Sequence, residues 1–251
     1  MSAPEPFIAL IIPVWNDSVR LAGFAPGLLE AIRSSGLPVE VVVADDGSSE
    51  EEQARLKTLV EEWRGIYPAL KLHHCASRSY KGGAIYTAWD VCPEATWLGF
   101  VDCDGAIHAE STLRLIRKAM AEGPHSGAVG VRHNSEETPL KRPLGRLISF
   151  YLFAGIVHRL TGIRYEDTQC GAKVIPGRGY REVAGLLRER GFIFDVELLL
   201  ALEQRGYALQ ELRIPWTEIP AGKVHPVRDA WAMLIALLRI RKRMRAGHYA
   251  K

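Results

Sequence analysis

Short apolar runs that end in acidic residues, separated by stretches of helical composition, constrain this chain more than any other feature. Phe7–Pro13 (FIALIIP) is a continuous apolar run that stops at a proline, as a strand buried on both faces should. Val39–Ala44 is a second, β-branched run that leads into Asp45-Asp46-Gly47-Ser48-Ser49. Leu70–His74 is a short third strand, and Thr96–Val101 is a fourth that ends in Asp102-Cys103-Asp104. Leu28–Arg33, Glu50–Trp63 and Gly83–Asp90 read as helices between them. This alternation predicts an α/β fold with a mostly parallel central sheet and helices on both faces. In such sheets ligands bind beyond the carboxyl ends of the strands. The polar clusters after strands one, two and four fall there.

Several function classes drop out. A dinucleotide-binding unit needs GxGxxG after its first strand to bring backbone close to a pyrophosphate. Here that strand runs into Pro13-Val14-Trp15-Asn16-Asp17 instead. The 251 residues carry 32 Lys plus Arg against 29 Asp plus Glu, a net charge of +3 that argues for no nucleic-acid partner. With 47% hydrophobic residues, a chain of this length builds a sizeable core without staples. The 4 cysteines, Cys75, Cys92, Cys103 and Cys170, form no CxxC pair, so free thiols in a reducing compartment are expected. Met-Ser-Ala-Pro-Glu-Pro lacks the basic and apolar regions of a signal peptide. No apolar run reaches the ~18 residues of a membrane span. The expectation is a cytoplasmic protein, peripheral on the cytoplasmic face where it meets membrane.

Asp102 and Asp104 form the chemical centre. Two carboxylates separated by one residue at a strand end project the same way, because strand side chains alternate. They can share a hard divalent cation, Mg2+ or Mn2+, together with substrate phosphates. An isolated pair of this kind is more often a solvated turn or a helix cap. Aspartates at three strand ends on one edge change that balance, since they repel unless a cation or donor lies between them.

The order of these motifs resembles the inverting GT-A glycosyltransferases of family 2: strand-Pro-Val-Trp-Asn-Asp17, strand-Asp-Asp46-Gly-Ser-Ser, Lys81-Gly-Gly-Ala84, then Asp102-Cys-Asp104-Gly105. Asp167-Thr-Gln-Cys-Gly-Ala-Lys173, Phe194-Asp-Val-Glu197, and Trp216-Thr-Glu-Ile followed by Gly222-Lys223-Val224 are similar to the polyprenyl- and dolichyl-phosphate sugar transferases within it. The resemblance implies a GT-A, Rossmann-like nucleotide-diphospho-sugar transferase fold over residues 1–225. It implies a donor half of about 1–105 and an acceptor half of about 106–225. The activity implied is metal-dependent inverting transfer of a hexose, glucose foremost, from a nucleoside diphosphate sugar of the UDP-glucose or GDP-mannose type to a polyprenyl phosphate. Pro13, Trp15, Asp17, Asp46, Lys81, Asp102 and Lys223 would bind the donor, with Trp15 against the base. Asp102 and Asp104 would hold the metal, and His225 is a candidate third ligand.

On the acceptor side the same resemblance puts Arg132 and Arg146 at the lipid phosphate, with Gln169, Cys170 and Lys173 beside them; fixed cations suit that ligand. A phosphate acceptor is already anionic near neutral pH and attacks without a base. A soluble hydroxyl acceptor, the alternative within enzymes, needs a carboxylate base, with Asp167 and Asp195 as candidates. From another class, a non-catalytic membrane-peripheral nucleotide-sugar-binding module would need no intact Asp102/Asp104 pair. The chain departs from the family pattern at Arg78-Ser79-Tyr80, where members often carry Asn-x-Gly, and at Tyr86, where they often carry Arg. It also opens without the apolar anchor of the eukaryotic dolichyl enzymes.

Two segments bear on membrane contact. Leu147–Val157 holds eleven mostly apolar residues, too short to span and long enough to lie in an interface. Residues 226–251 read as an amphipathic C-terminal helix with a basic tail. Val227, Trp231, Leu234, Ile235 and Leu238 recur at helical spacing, and Arg239–Arg245 follows with five basic residues in seven.

Overall fold

A computed structural model describes residues 5–133, 144–217, 219 and 226–250, with no account of the side chains of 144–151, 226 and 227. Seven strands form one sheet: β1 (Ile8–Val14), β2 (Val39–Asp45), β3 (Leu70–His74), β4 (Trp97–Val101), β5 (Gly127–His133), β6 (Ala172–Pro176) and β7 (Leu209–Pro215). Their order is β3-β2-β1-β4-β6-β5-β7. β1, β2, β3 and β4 pair in parallel, as do β5 and β7. β6 alone runs antiparallel to both neighbours, β4 and β5. The mostly parallel sheet expected from the first half therefore continues across residue 105 through one reversed strand.

Strand alternation divides the core in two. All seven residues of β1 are buried. Ile8, Leu10, Ile12 and Val14 point into one layer, whereas Ala9 and Ile11 point into the other. The first layer is closed by α1 (Ser18–Ser35), α2 (Glu50–Trp63) and α4 (Ala109–Ala121). α1 buries Leu21, Phe24, Ala25, Leu28, Leu29 and Ile32, the stripe of a helix with one face on a sheet. It starts ten residues before the Leu28 expected from sequence, because Val19 to Gly27 dilute the apolar signal with glycine, proline and charge. α2 has the expected bounds. Ser49 caps it by accepting the Glu52 amide, and Glu50, Glu51 and Glu52 occupy its positive first turn.

The second layer holds α3 (Tyr80–Asp90), α6 (Gly177–Val183), α7 (Phe194–Gln204) and α8 (Pro226–Arg245), with α5 (Leu144–Thr161) packed against α8. α7 is buried from Phe194 through Leu202, a helix with almost no solvent face. The basic segment expected as a tail is the last two turns of α8. Its Arg239 and Arg243 reach acidic partners, Arg243 from a mostly withdrawn position and Arg239 while still exposed. The stripe read as one apolar face is not what anchors the helix. Ala236, Leu237 and Ile240 are buried, while Trp231, Ile235 and Leu238 are exposed. All four cysteines are free.

The turn from parallel to antiparallel pairing is tight at Gly127. A Cβ there would strike the Val174 carbonyl oxygen and come within 2.8 Å of Leu209 Cδ2. Gly127→Ala should therefore lower the unfolding free energy by about 2 kcal/mol through overpacking of a β5 residue that cannot shift. Urea unfolding checks this; an unchanged midpoint would show that the junction has slack.

Candidate active site

Three loops at the carboxyl ends of β1, β2 and β3 are laced into one wall. The Asn16 amide donates to Ser48 Oγ at 2.8 Å, and the Ser49 amide donates back to Asn16 Oδ1 at 2.8 Å. Asn16 has φ 48°, a left-handed conformation that asparagine tolerates better than most residues. Asp46 Oδ1 accepts from the Ser79 amide at 2.6 Å and from Ser79 Oγ at 3.0 Å. Between them Gly47 sits at φ 67°, where a Cβ would lie 2.7 Å from the Arg78 amide nitrogen, so the turn needs glycine twice over. The Arg78 guanidinium carbon stands 3.4 Å above the centre of the Trp15 ring, a cation–π stack. Burial raises the Asp46 carboxyl above the usual range despite the Ser79 bonds.

Asp102 and Asp104 follow β4 directly. The Asp102 amide donates to the Gly171 carbonyl at 2.9 Å, which ties the acidic turn to the chain entering β6. Gly171 presses on the Asp102 carboxylate so closely that any Cβ would collide with it. Lys81 Nζ lies 2.6 Å from Asp102 Oδ1. Burial alone would lower the Lys81 amine, but the charges of Asp102 and Asp195 raise it, so it stays cationic. Asp104 Oδ1 accepts the Ala106 amide at 3.0 Å. Its carboxyl is raised by burial first and then by the charge of Asp102. Cys103 points the other way, and burial pushes its thiol up to about 12.

This donor set fits a divalent cation. Two carboxylates face one lysine, and an incoming diphosphate would add more negative charge than Lys81 can offset. Among the described residues no third His, Cys, Asp or Glu joins them in a cluster. His225, the candidate third ligand, and the donor candidate Lys223 lie outside the described residues.

The acceptor-side candidates separate into two buried ion pairs. Arg132, at the end of β5, makes a two-pronged contact with Asp167 at 2.6 and 2.8 Å, and its guanidinium lies 5.7 Å from the Trp216 ring centre. Burial alone would raise the Asp167 carboxyl, but the hydrogen bonds and charge of Arg132 hold it below the usual range. Lys173, in β6, is fully buried; its Nζ reaches Asp195 Oδ2 at 2.7 Å and the Cys170 carbonyl at 2.7 Å. Lys81 and Lys173 stand 5.3 and 5.2 Å from the Phe100 ring centre, one aromatic ring serving both cations. Asp195 Oδ1 is buried with no hydrogen-bond partner among the described residues, and burial raises the Asp195 carboxyl despite Lys173 and Lys81.

The structure thus joins Trp15, Asp46, Lys81, Asp102 and Asp104 along one edge, with Pro13 buried beneath them in β1. Asp17 does not cap α1; it pairs with Arg20 at 2.5 Å. Gln169 donates from Nε2 to the Phe192 carbonyl at 3.2 Å, and Cys170 is buried. Arg146 falls on α5 where side chains lie outside the described set. Tyr86, one of the departures from the family pattern, is a core residue. Its ring stacks on Tyr180 and meets Phe194 edge-on, both at 5.8 Å, so it marks aromatic packing behind the site.

Sequence reasoning missed the pairing of Lys173 with Asp195 and the role of Phe100 between the lysines. The alternation of β4 and β6 carries that signal: Phe100 lies opposite Lys173 in the register.

Comparison with known proteins agrees with this architecture. The model of glycosyl transferase family 2 matches residues 9–184. The chain is 27% identical to the dolichyl-phosphate beta-glucosyltransferase of Saccharomyces cerevisiae, covering 98% of this chain and 77% of that protein. It is 25% identical to the human dolichyl-phosphate beta-glucosyltransferase, covering 98% and 78%. The undecaprenyl-phosphate 4-deoxy-4-formamido-L-arabinose transferase of Pseudomonas fluorescens is 27% identical over 66% of this chain and 46% of its own length. Among solved structures, mannosyl-3-phosphoglycerate synthase from Rubrobacter xylanophilus superposes with a TM-score of 0.66 at 14% identity, covering 96% of this chain and 75% of that one. Glucosyl-3-phosphoglycerate synthase from Mycobacterium tuberculosis, with Mg2+ and uridine diphosphate, superposes with a TM-score of 0.63 at 14% identity, covering 94% and 79%. With the family model spanning most of the sheet and its acidic edge, the chain belongs to glycosyl transferase family 2.

Proposed function

We propose that this protein transfers glucose from a nucleoside diphosphate glucose, UDP-glucose foremost, to a polyprenyl phosphate with inversion at the anomeric carbon. The observation that carries the reading is the Asp102–Asp104 pair with Lys81 on Asp102, set beside the Trp15–Asp46 wall. The sugar named in the curated relatives and the uridine diphosphate in a structural neighbour support glucose and UDP.

Trp15 offers an aromatic surface for the base, and Asp46 an acceptor for base or ribose donors. Lys81 is the fixed cation for the diphosphate. Asp102 and Asp104 would hold Mg2+ or Mn2+, which as a Lewis acid neutralises the departing nucleoside diphosphate. An acceptor phosphate oxygen forms the new bond to the anomeric carbon as the bond to the diphosphate breaks. Its anionic charge replaces a base. Asp167 suits that account: clamped by Arg132 below the usual carboxylate range, it is a poor proton acceptor. The Arg132 guanidinium would meet the acceptor phosphate with Asp167 keeping its plane in place. Arg146 stays a second candidate for the same phosphate.

Peripheral membrane contact belongs to this reading, on the two segments singled out in the sequence. Leu152 on α5 and Trp231, Ile235 and Leu238 on α8 are exposed on two helices that pack together. They would supply the apolar contact, with the exposed Lys242 and Arg245 adding charge while Arg239 and Arg243 also pair with Glu189. No helix of the described residues is long and apolar enough to cross a membrane.

Three outcomes follow. Asp104→Asn should cut nucleoside diphosphate release from UDP-glucose by about a hundredfold or more while the circular dichroism spectrum is unchanged; retained metal-dependent turnover would remove Asp104 from the site. Because the Asp167 carboxyl is depressed in the fold, its stabilisation is present above the unfolded value of ~3.9 and is lost as pH falls through the folded value. Arg132→Gln should therefore flatten the acid limb of the stability–pH curve below about pH 5, read by urea unfolding at each pH. Trp231→Ser with Leu238→Ser should weaken co-flotation with polyprenyl-phosphate liposomes by about tenfold, as the loss of two buried apolar anchors requires; unchanged flotation would assign the contact elsewhere.

A further inference from the structure

The segment 188–197 touches both halves of the site and contributes Asp195 to it. The Arg190 carbonyl accepts the amides of Gly82 at 2.8 Å and Gly83 at 3.2 Å, the two residues that follow Lys81. The Phe192 carbonyl accepts Gln169 Nε2 at 3.2 Å, and Asp195 holds Lys173 at 2.7 Å. Gly82 lies so close to Phe194 that a Cβ would collide with its ring stem. Movement of this segment therefore moves Lys81 and Lys173 together.

A second set of contacts fixes the segment itself, partly from within it and partly from the far end of the chain. Glu197 is fully buried. Its Oε2 accepts the amides of Arg188 at 2.7 Å and Glu189 at 2.6 Å, which folds the segment back on the first turn of α7. Its Oε1 accepts the Tyr249 hydroxyl at 2.6 Å and lies 3.0 Å from Arg243 Nη2. Arg243 also donates to Glu189 at 2.6 Å and to the Tyr249 hydroxyl oxygen at 2.9 Å. Arg239 closes on Glu189 with bonds of 3.1 and 2.7 Å. His248 adds a ring contact of 2.9 Å to the Leu186 carbonyl. Two carboxylates, two guanidiniums and one phenol satisfy each other in a half-buried network that a core of ordinary apolar residues would not need. Buried ionic groups of this kind specify one arrangement more than they add stability.

We propose that Arg239, Arg243 and Tyr249 form a latch that positions the 188–197 segment, and through it Lys81 and the Lys173–Asp195 pair, for transfer. The assignment rests on the glycosyl-transfer reading of the site. The latch residues are positioning residues, since none lies at the acidic edge. They act on the spacing between the donor lysine and the acceptor side, leaving Trp15, Asp46 and Asp104 where they are. α8 carries Arg239 and Arg243, with Tyr249 just past its end, and it also presents Trp231, Ile235 and Leu238 to solvent, so the helix that would meet the lipid also fixes the catalytic spacing.

The test uses the full chain with UDP-glucose, Mn2+ and polyprenyl phosphate, comparing Arg243→Gln, Arg243→Lys and Tyr249→Phe. Arg243→Gln and Tyr249→Phe should lower kcat about tenfold and weaken UDP binding, by calorimetry, clearly less than that, because Lys81 meets the diphosphate while Trp15, Asp46 and Asp104 stay in place. Arg243→Lys, which keeps one charged contact, should recover part of that loss. Tyr249→Phe keeps the ring and removes one hydroxyl, so it serves where Arg243→Gln fails to fold. Hydrogen exchange at the Gly82 and Gly83 amides gives a readout that needs no turnover, and it should accelerate in Tyr249→Phe. Unchanged kcat and unchanged Gly82 and Gly83 protection in the folded variants would overturn the latch. So would a fall in kcat matched by an equal fall in UDP affinity. A wild-type chain inactive with every donor would instead count against the functional reading, with the exchange experiment still deciding the latch.

Discussion

Carboxylates gathered at the ends of buried strands repel one another, and the site is organised around the cations that offset this. Asp102 has Lys81, Asp195 has Lys173, and Asp167 has Arg132. Among the described residues Asp104 alone of the four has no basic partner within ion-pair distance, and burial first, then the charge of Asp102, raises its carboxyl. A divalent cation and a diphosphate would complete that arrangement. The sheet makes it possible, because β1, β2 and β4 run in parallel and bring their acidic carboxyl ends to one edge. Reversal at β6 then brings Lys173 under that edge from the opposite direction, with Phe100 between it and Lys81.

The acidic edge was legible in the sequence because it depends on local order. Each strand is a continuous apolar run, and each cluster follows its strand immediately. The first three strands, α2 and the convergence of Asp46, Asp102 and Asp104 needed only strand ends and crossover rules. The second half was less legible. β5 and β6 contain Gly127, Gly130 and Lys173, β7 carries charged residues, and the three interleave in an order that chain sequence does not follow. The amide of Gly82 bonds a carbonyl more than one hundred residues away, and no spacing rule encodes such a contact.

α8 has two apolar faces, and the sequence pattern marked the exposed one. Trp231, Ile235 and Leu238 form a good helical stripe, yet the anchor is Ala236, Leu237 and Ile240 on another face. The five basic residues suggested a solvated run with one purpose. Arg239 and Arg243 are held by Glu189 and Glu197, whose acidity is invisible to any window that contains the basic cluster. The charge balance between the two halves is in part internal, and it ties the end of the chain to the first turn of α7.

The central claim is inverting transfer to a phosphate oxygen that needs no carboxylate base. The anomeric configuration of the product formed from UDP-α-glucose and polyprenyl phosphate tests it most directly, by proton NMR of the glycolipid. A β-linked glucosyl phosphate, formed by wild type and lost with Asp104→Asn, is the predicted result. An α-linked product, or glucose released only to water, would contradict it.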